Sequence, residues 1–270
     1  MLRERILIGG VPGTGKTFAW LTIAKNNPDS MFYVIDPDDS VRRVWFSEFP
    51  KVKNIEYYFT PKWYYDGMEK VPSMRPIKGD PNCFMSGIAD AWRTIKPKLK
   101  PGDWIIVEHM HLIWNAVIDS FADEVFNKEI GQYFLEARKN TPNNVRRLDA
   151  LKGWTDWNVI NKLHNDDFII PVCFENEAHV YMTTSVSINN SDTEDASLKA
   201  FYGDTKLRYD GQKHTPYRAQ TMMMFKQSGS GHERKYIMST FQKDRGRNWL
   251  EDVEWGDFFF EYLVAVAGWE

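Results

Sequence analysis

The chain has 270 residues, 43% of them hydrophobic, enough for one α/β domain with a substantial core. Its net charge of −3 rules out a global basic attraction to nucleic acid, so any such contact has to come from a local patch. Two cysteines, Cys83 and Cys173, lie far apart and outside any C-x-x-C pair, which argues against a disulfide framework or a zinc site and for a reducing cytosol. Aromatic residues make up 15%, with 11 Trp, and composition does not choose between a dense core and stacking surfaces. No apolar run approaches membrane-spanning length and the first residues lack a signal-peptide pattern. A soluble cytoplasmic protein of one domain over residues 1–270, with no membrane partner, is the expectation.

In chain order, the apolar run Arg5-Ile6-Leu7-Ile8 suits a buried strand, and the segment from Phe18 to Lys25 has helical apolar spacing that stops before Pro28. Between them stands Gly10-Val11-Pro12-Gly13-Thr14-Gly15-Lys16-Thr17, which fits G-x-x-x-x-G-K-[ST] without a gap. Strand, glycine loop and helix are the context in which backbone N–H groups turn onto phosphate oxygens and a helix N-terminus adds positive potential. Lys16 would neutralise the β- and γ-phosphates, and the Thr17 hydroxyl would complete a Mg²⁺ shell. A nucleoside triphosphate site follows.

Met31 to Ile35 reads as the second strand, ending in Asp36-Pro37-Asp38-Asp39. Ligands of α/β sheets sit beyond the carboxyl ends of strands, so if this strand neighbours the first, Asp38 is the candidate to orient an attacking water. The alternative is structural: Asp39-Ser40 caps a helix from Val41, and Asp36 closes a turn before Pro37. Ile55 to Phe59 is a third strand. An irregular insertion over 60–82 interleaves Lys62-Trp63-Tyr64-Tyr65 with Lys70, Arg75 and Lys78, which suits either base stacking or covering a sheet edge.

Ser86 to Leu99 is predicted helical and broken by Pro101-Gly102. Trp104-Ile105-Ile106-Val107 then runs into Glu108, a hydrophobic strand ending in the acid that would hold the Mg²⁺ water shell. Asp119 is a rival acid, but Ile113, Val117, Phe121 and Val125 repeat around it at helical spacing. His109 and His111 have no further ligand close by, so contact with nucleotide or the next helix is preferred to metal binding. The helix is expected to continue to Lys139, another to span Asp149 to Leu163, and Phe168 to Cys173 to complete a helix or a strand pairing. Ala178 to Met182 reads as a strand tipped by Thr183-Thr184-Ser185, hydroxyls placed either to sense a γ-phosphate or as ordinary strand threonines. Residues 187–216 form a polar loop of functional length whose second half is basic, with Lys206, Arg208 and Lys213. Tyr217 to Phe225 and Lys235 to Phe241 pair as a hairpin that leads into Lys243-Asp244-Arg245, and Phe258 to Val266 closes the chain as an apolar helix.

In this order the elements resemble RecA-like phosphate-loop ATPases, and more narrowly compact phage-encoded ATP-binding proteins of DNA recombination and annealing. The residues that carry the resemblance are Gly10 to Thr17, Val34-Ile35-Asp36-Pro37-Asp38, Trp104 to Glu108, Val180 to Met182 with the long loop after it, and Lys243-Asp244-Arg245. The resemblance implies a RecA-like core, a mostly parallel twisted sheet flanked by helices with a C-terminal antiparallel hairpin. It also implies ATP and Mg²⁺ as cofactors, with Thr17 and Glu108 at the metal, and single-stranded DNA as partner. It further implies head-to-tail homo-oligomers with ATP at subunit interfaces, where Lys243 or Arg245 reaches the neighbour's γ-phosphate. Glu108 in place of Asp, and Asp38 in place of a longer Glu, imply slow hydrolysis that DNA stimulates. A viral origin would place the protein in the host cytoplasm. An assembly or DNA-packaging motor component is the alternative, and a phosphate-loop small-molecule kinase a further one, although the 60–82 segment holds only Arg75 for a lid.

Overall fold

The computed structural model describes residues 3–65, 74–139, 155–188, 202, 206–229, 233–244 and 249–270. The strands are β1 (Arg5–Gly9), β2 (Phe32–Asp36), β3 (Ile55–Phe59), β4 (Met74–Pro76), β5 (Cys83–Ser86) and β6 (Trp104–Val107). They continue as β7 (His179–Thr184), β8 (Val186–Ile188), β9 (Leu207–Tyr209), β10 (Thr221–Ser228), β11 (Lys235–Asp244) and β12 (Val253–Trp255). The helices are α1 (Lys16–Asn26), α2 (Val41–Glu48), α3 (Ile88–Ile95), α4 (Met110–Phe126), α5 (Ile130–Lys139), α6 (Thr155–His164) and α7 (Ile170–Phe174).

Ten strands form one sheet in the order β12-β11-β10-β1-β7-β6-β2-β3-β5-β4. From β10 across to β5 every neighbour is parallel, while β11 and β12 on one side and β4 on the other are antiparallel. The expected mostly parallel sheet with a C-terminal antiparallel hairpin is therefore the architecture found. Helices cover both faces, and the alternation of side chains along each strand assigns them. Leu7, Ile105, Val107, Val180, Met182, Met222 and Met224 join the core with α3, α4 and α6. Ile6, Ile8, Val34, Ile106, Tyr181, Met223 and Phe225 join the other core with α1, α2 and the C-terminal segment. A slip of one residue in any central strand would exchange the two sets, so burial on both faces pins the register.

Several elements depart from the periodicity reading. The helix expected to run unbroken to Lys139 ends at Phe126, where Asn127 turns left-handed at φ 51° and its N–H caps back onto Asp123. Within 60–82, Met74–Pro76 pairs with Cys83–Ser86, so a sheet edge lies where an irregular stretch was expected. Residues Phe168 to Cys173 are helical: a wider π turn, Asn165–Ile169, joins α6 to α7. The C-terminal apolar segment is likewise a π-helix, Phe259–Val264, with Phe258, Tyr262 and Leu263 buried. The polar stretch after β7 starts and ends in a two-stranded ribbon of β8 against β9, and residues 189–201 and 203–205 lie outside the described part.

Candidate functional site

The phosphate-loop motif leaves the C-terminal end of β1, its Gly15 is the N-cap of α1, and its last two residues, Lys16 and Thr17, open that helix. Gly13 and Gly15 have φ of 82° and 89°, a left-handed backbone that glycine adopts without the Cβ penalty. At Gly15 a Cβ would also lie 3.0 Å from the rings of both Tyr236 and Trp255, so close packing demands glycine a second time. Thr14 Oγ1 donates to Val11 O at 2.9 Å, closing the loop on itself. Lys16 Nζ bends back to Gly10 O at 2.7 Å and Val11 O at 3.0 Å. Burial lowers the Lys16 pKa, and the charges of Glu108 and Asp38 oppose that shift.

Glu108 follows the last residue of β6 and is fully buried. Its two oxygens accept from α1: Thr17 Oγ1 donates to Oε1, and Trp20 Nε1 donates to Oε2 at 2.8 Å. Burial pushes its pKa up to about 7, against the pull of Thr17, Trp20 and Lys16. Trp20 reads from the sequence as an apolar helix position. The signal that it serves the site is its spacing, three residues beyond Thr17 and so on the same face of α1. An ammonium, a hydroxyl and a carboxylate gathered at a glycine loop fit a triphosphate with a hard divalent cation. Lys16 and the loop would hold the phosphates, and Thr17 with Glu108 the ion, which supplies charge neutralisation.

The second strand does not neighbour the first: β7 and β6 stand between β1 and β2. The loop after β2 nevertheless brings Asp38 within electrostatic reach of Lys16, Glu108 and His109. Helix α2 is capped by neither Asp39 nor Ser40. Asp36 caps it, accepting from Val41 N at 3.0 Å, and also closes the turn by accepting from Asp38 N at 3.2 Å. Asp39, at φ 57°, instead pairs with Arg42 one turn along and accepts from Tyr57 OH at 2.7 Å.

The tip of β7 lies between β1 and β6, and its hydroxyls are engaged. Thr183 Oγ1 is 3.3 Å from His109 Nδ1, Thr184 Oγ1 donates to Asp210 O at 2.8 Å, and Ser185 Oγ bridges Asp210 Oδ2 and His111 Nδ1. Burial lowers His109 to about 4, so this imidazole is neutral at physiological pH. Among the described residues no group of three or more His, Cys, Asp or Glu is placed to hold a metal. Tyr181, also unflagged by sequence, donates from its hydroxyl to Lys16 O at 2.8 Å beneath the loop.

Other sequence candidates lie elsewhere. Asp119 lines a separate cleft with Lys62, Trp63 and Tyr65. Asp244 at the end of β11 pairs with Thr221, which is level with Ile6. Within one chain, Lys243 is thus about four residues, roughly 13 Å along the strands, below the level of the loop. Arg245 lies outside the described residues. The other end of the hairpin is the one beside the loop, because a Cβ on Gly13 would lie 3.4 Å from Gln227 Oε1.

No protein-family model matches this chain, and no curated protein matches it. Among solved structures, a KaiC-like protein, PH0186, from Pyrococcus horikoshii OT3 aligns at a TM-score of 0.41 and 12% identity, covering 93% of this chain and 84% of that one. The RadB recombinase aligns at a TM-score of 0.38 and 11% identity, covering 93% of this chain and 92% of that one.

Proposed function

We propose that the chain is a RecA-like phosphate-loop ATPase that binds ATP with Mg²⁺, hydrolyses it, and engages DNA, single strands in particular, in a recombination-type process. The observation that carries the nucleotide reading is the closed set of Lys16, Thr17 and Trp20 around a buried Glu108, because that acid comes from β6, a strand away from β1, and nothing in the packing of an inert sheet requires it there. Catalysis in this reading is electrostatic: the loop and Lys16 hold the charge of the transferring phosphoryl, and Asp38 orients the water. The ribbon of β8 and β9 supports the DNA reading, since it rises from the tip of β7 beside the site and its second strand is flanked by the exposed Lys206 and Lys213. Lys243 and Arg245 act in this reading on the site of another copy, with ATP at the subunit interface.

The test is ATP hydrolysis with and without single-stranded DNA across salt. Stimulation that fades as salt rises supports the reading, since phosphate contacts are lost to counterions. Absence of both stimulation and salt-sensitive binding refutes the DNA part, and absence of ATP binding in calorimetry with magnesium refutes the whole. Replacing Arg245 by Ala is expected to lower turnover and leave ATP binding near normal. Unchanged turnover refutes the shared-site arrangement.

A further inference from the structure

Gly9 stands before the phosphate-loop motif, which begins at Gly10 and does not require it. It is a strand residue without the left-handed backbone of Gly13 and Gly15, so its own conformation does not require glycine either. The ribbon of β8 and β9 does. A Cβ on Gly9 would lie 2.0 Å from Tyr209 Cε1 and 3.0 Å from Val186 Cγ1. Val186 and Tyr209 stand opposite each other in the ribbon, so their side chains share one face, and that face is laid on the end of β1. Tyr209 is buried there, with the Phe241 ring 5.2 Å away, and its hydroxyl donates to Met223 O of the neighbouring β10 at 2.7 Å. The next two residues make contacts as specific. Asp210 accepts from Thr184 Oγ1 at its main-chain oxygen and from Ser185 Oγ at its carboxylate, both at 2.8 Å, and its N–H donates to Ser185 O at 3.0 Å. Gly211 lies on the first turn of α4, where a Cβ would meet His111 Cα at 3.2 Å. Three consecutive residues thus reach three different elements: the end of β1 that becomes the loop, the tip of β7, and the start of α4 just after Glu108.

We propose that Tyr209, Asp210 and Gly211 form a strap that sets the phosphate loop against Glu108, so that ATP and Mg²⁺ are held tightly only while the ribbon of β8 and β9 is docked. The inference rests on the reading of the loop as a nucleotide site. Tyr209 and Asp210 are positioning residues in it, since each acts through the element it packs on. The ring bears on the residue directly before the loop. A shift of Tyr209 therefore moves Gly9, and with it the Gly10 carbonyl that Lys16 Nζ holds at 2.7 Å. The coupling is reciprocal, so a nucleotide that tightens the loop also tightens the ribbon.

Gly9→Ala, Tyr209→Ala and the double variant test it in calorimetry with ATP and magnesium. The added Cβ overpacks the parent but fits the space that Tyr209→Ala vacates. Gly9→Ala is expected to weaken ATP binding about tenfold in the parent and less than about twofold in the Tyr209→Ala background. Tyr209→Phe keeps the ring, gives up one hydroxyl bond and should bind ATP within about threefold of the parent. Equal losses from Gly9→Ala in both backgrounds overturn the proposal. Amide hydrogen exchange of Leu207–Tyr209 is the second measurement. It should slow when ATP and magnesium bind to the parent, and should not in Asp210→Ala, which frees the strap from β7. Exchange in the parent that ignores bound nucleotide overturns the proposal, and this arm decides if Tyr209→Ala does not fold. A parent that binds no ATP removes the nucleotide reading and leaves the packing to urea melts of the nucleotide-free variants. There Gly9→Ala should cost about tenfold in the unfolding constant of the parent and little in the Tyr209→Ala background, and equal costs overturn the strap itself.

Discussion

Replacing Glu108 by Gln should make the magnesium-free protein more stable and catalytically empty. The acid is fully buried, and its pKa rises from 4.5 to about 7 on folding, chiefly through desolvation. The folded state therefore holds this proton more tightly than the unfolded chain. The associated stability is present below the unfolded value and is lost as pH rises through the folded one. A gap of about 2.5 units at ~1.36 kcal/mol each makes the cost of ionised Glu108 about 3 kcal/mol above pH 7. Gln removes that cost and keeps both contacts, with its carbonyl accepting from Trp20 Nε1 and its amide donating to the Thr17 hydroxyl. Urea denaturation in chelator, from pH 4.5 to 8, is the assay. The advantage of Gln should be near zero at pH 4.5, grow to about 3 kcal/mol near pH 7 and stay flat beyond. A difference that does not change with pH, or a Gln variant less stable at pH 8, refutes the reasoning. With magnesium and ATP the order inverts, because the variant has given up the ionised oxygen for the ion.

Lys16→Ala is expected to abolish ATP binding in calorimetry while the far-ultraviolet circular dichroism stays unchanged, and binding of normal affinity would contradict the loop assignment. Gly15→Ala places a Cβ at φ 89° and 3.0 Å from two rings, so a loss of roughly 2 kcal/mol is expected in urea melts, together with loss of ATP binding. An unperturbed melt would show that the loop is laxer than its geometry indicates. His164 is fully buried, neither ring nitrogen has a hydrogen-bond partner among the described residues, and burial lowers its pKa to about 3. The unfolded chain therefore binds this proton below about pH 6.5 and the folded protein does not, so stability falls with acid over that window by ~1.4 kcal/mol per unit. His164→Leu should flatten the acid limb of the stability curve by that slope, and an identical limb in the variant would refute it.

The phosphate-loop spacing marked the candidate nucleotide site from sequence, because eight consecutive residues contain all of its loop backbone and most of its charge. The apolar runs of β1, β2, β3 and β6 and the acid after β6 were equally legible, since strands buried on both faces show as uninterrupted hydrophobic stretches. Where periodicity misled, a local event intervened: a single left-handed Asn127 broke a helix whose apolar spacing continues past it, and a π turn carried α6 into α7 through residues that read equally as strand.

What the sequence by itself determined is therefore the chemistry of one contiguous segment and the parity of each strand. Only the tertiary structure decided that β7 separates the loop from Glu108, that Trp20 turns its indole nitrogen onto that acid, and that Asp36, not Asp39 or Ser40, caps α2. A contact such as that of Trp20 with Glu108, 88 positions apart, has no local spacing to reveal it, because it exists only once strand order has brought the elements together.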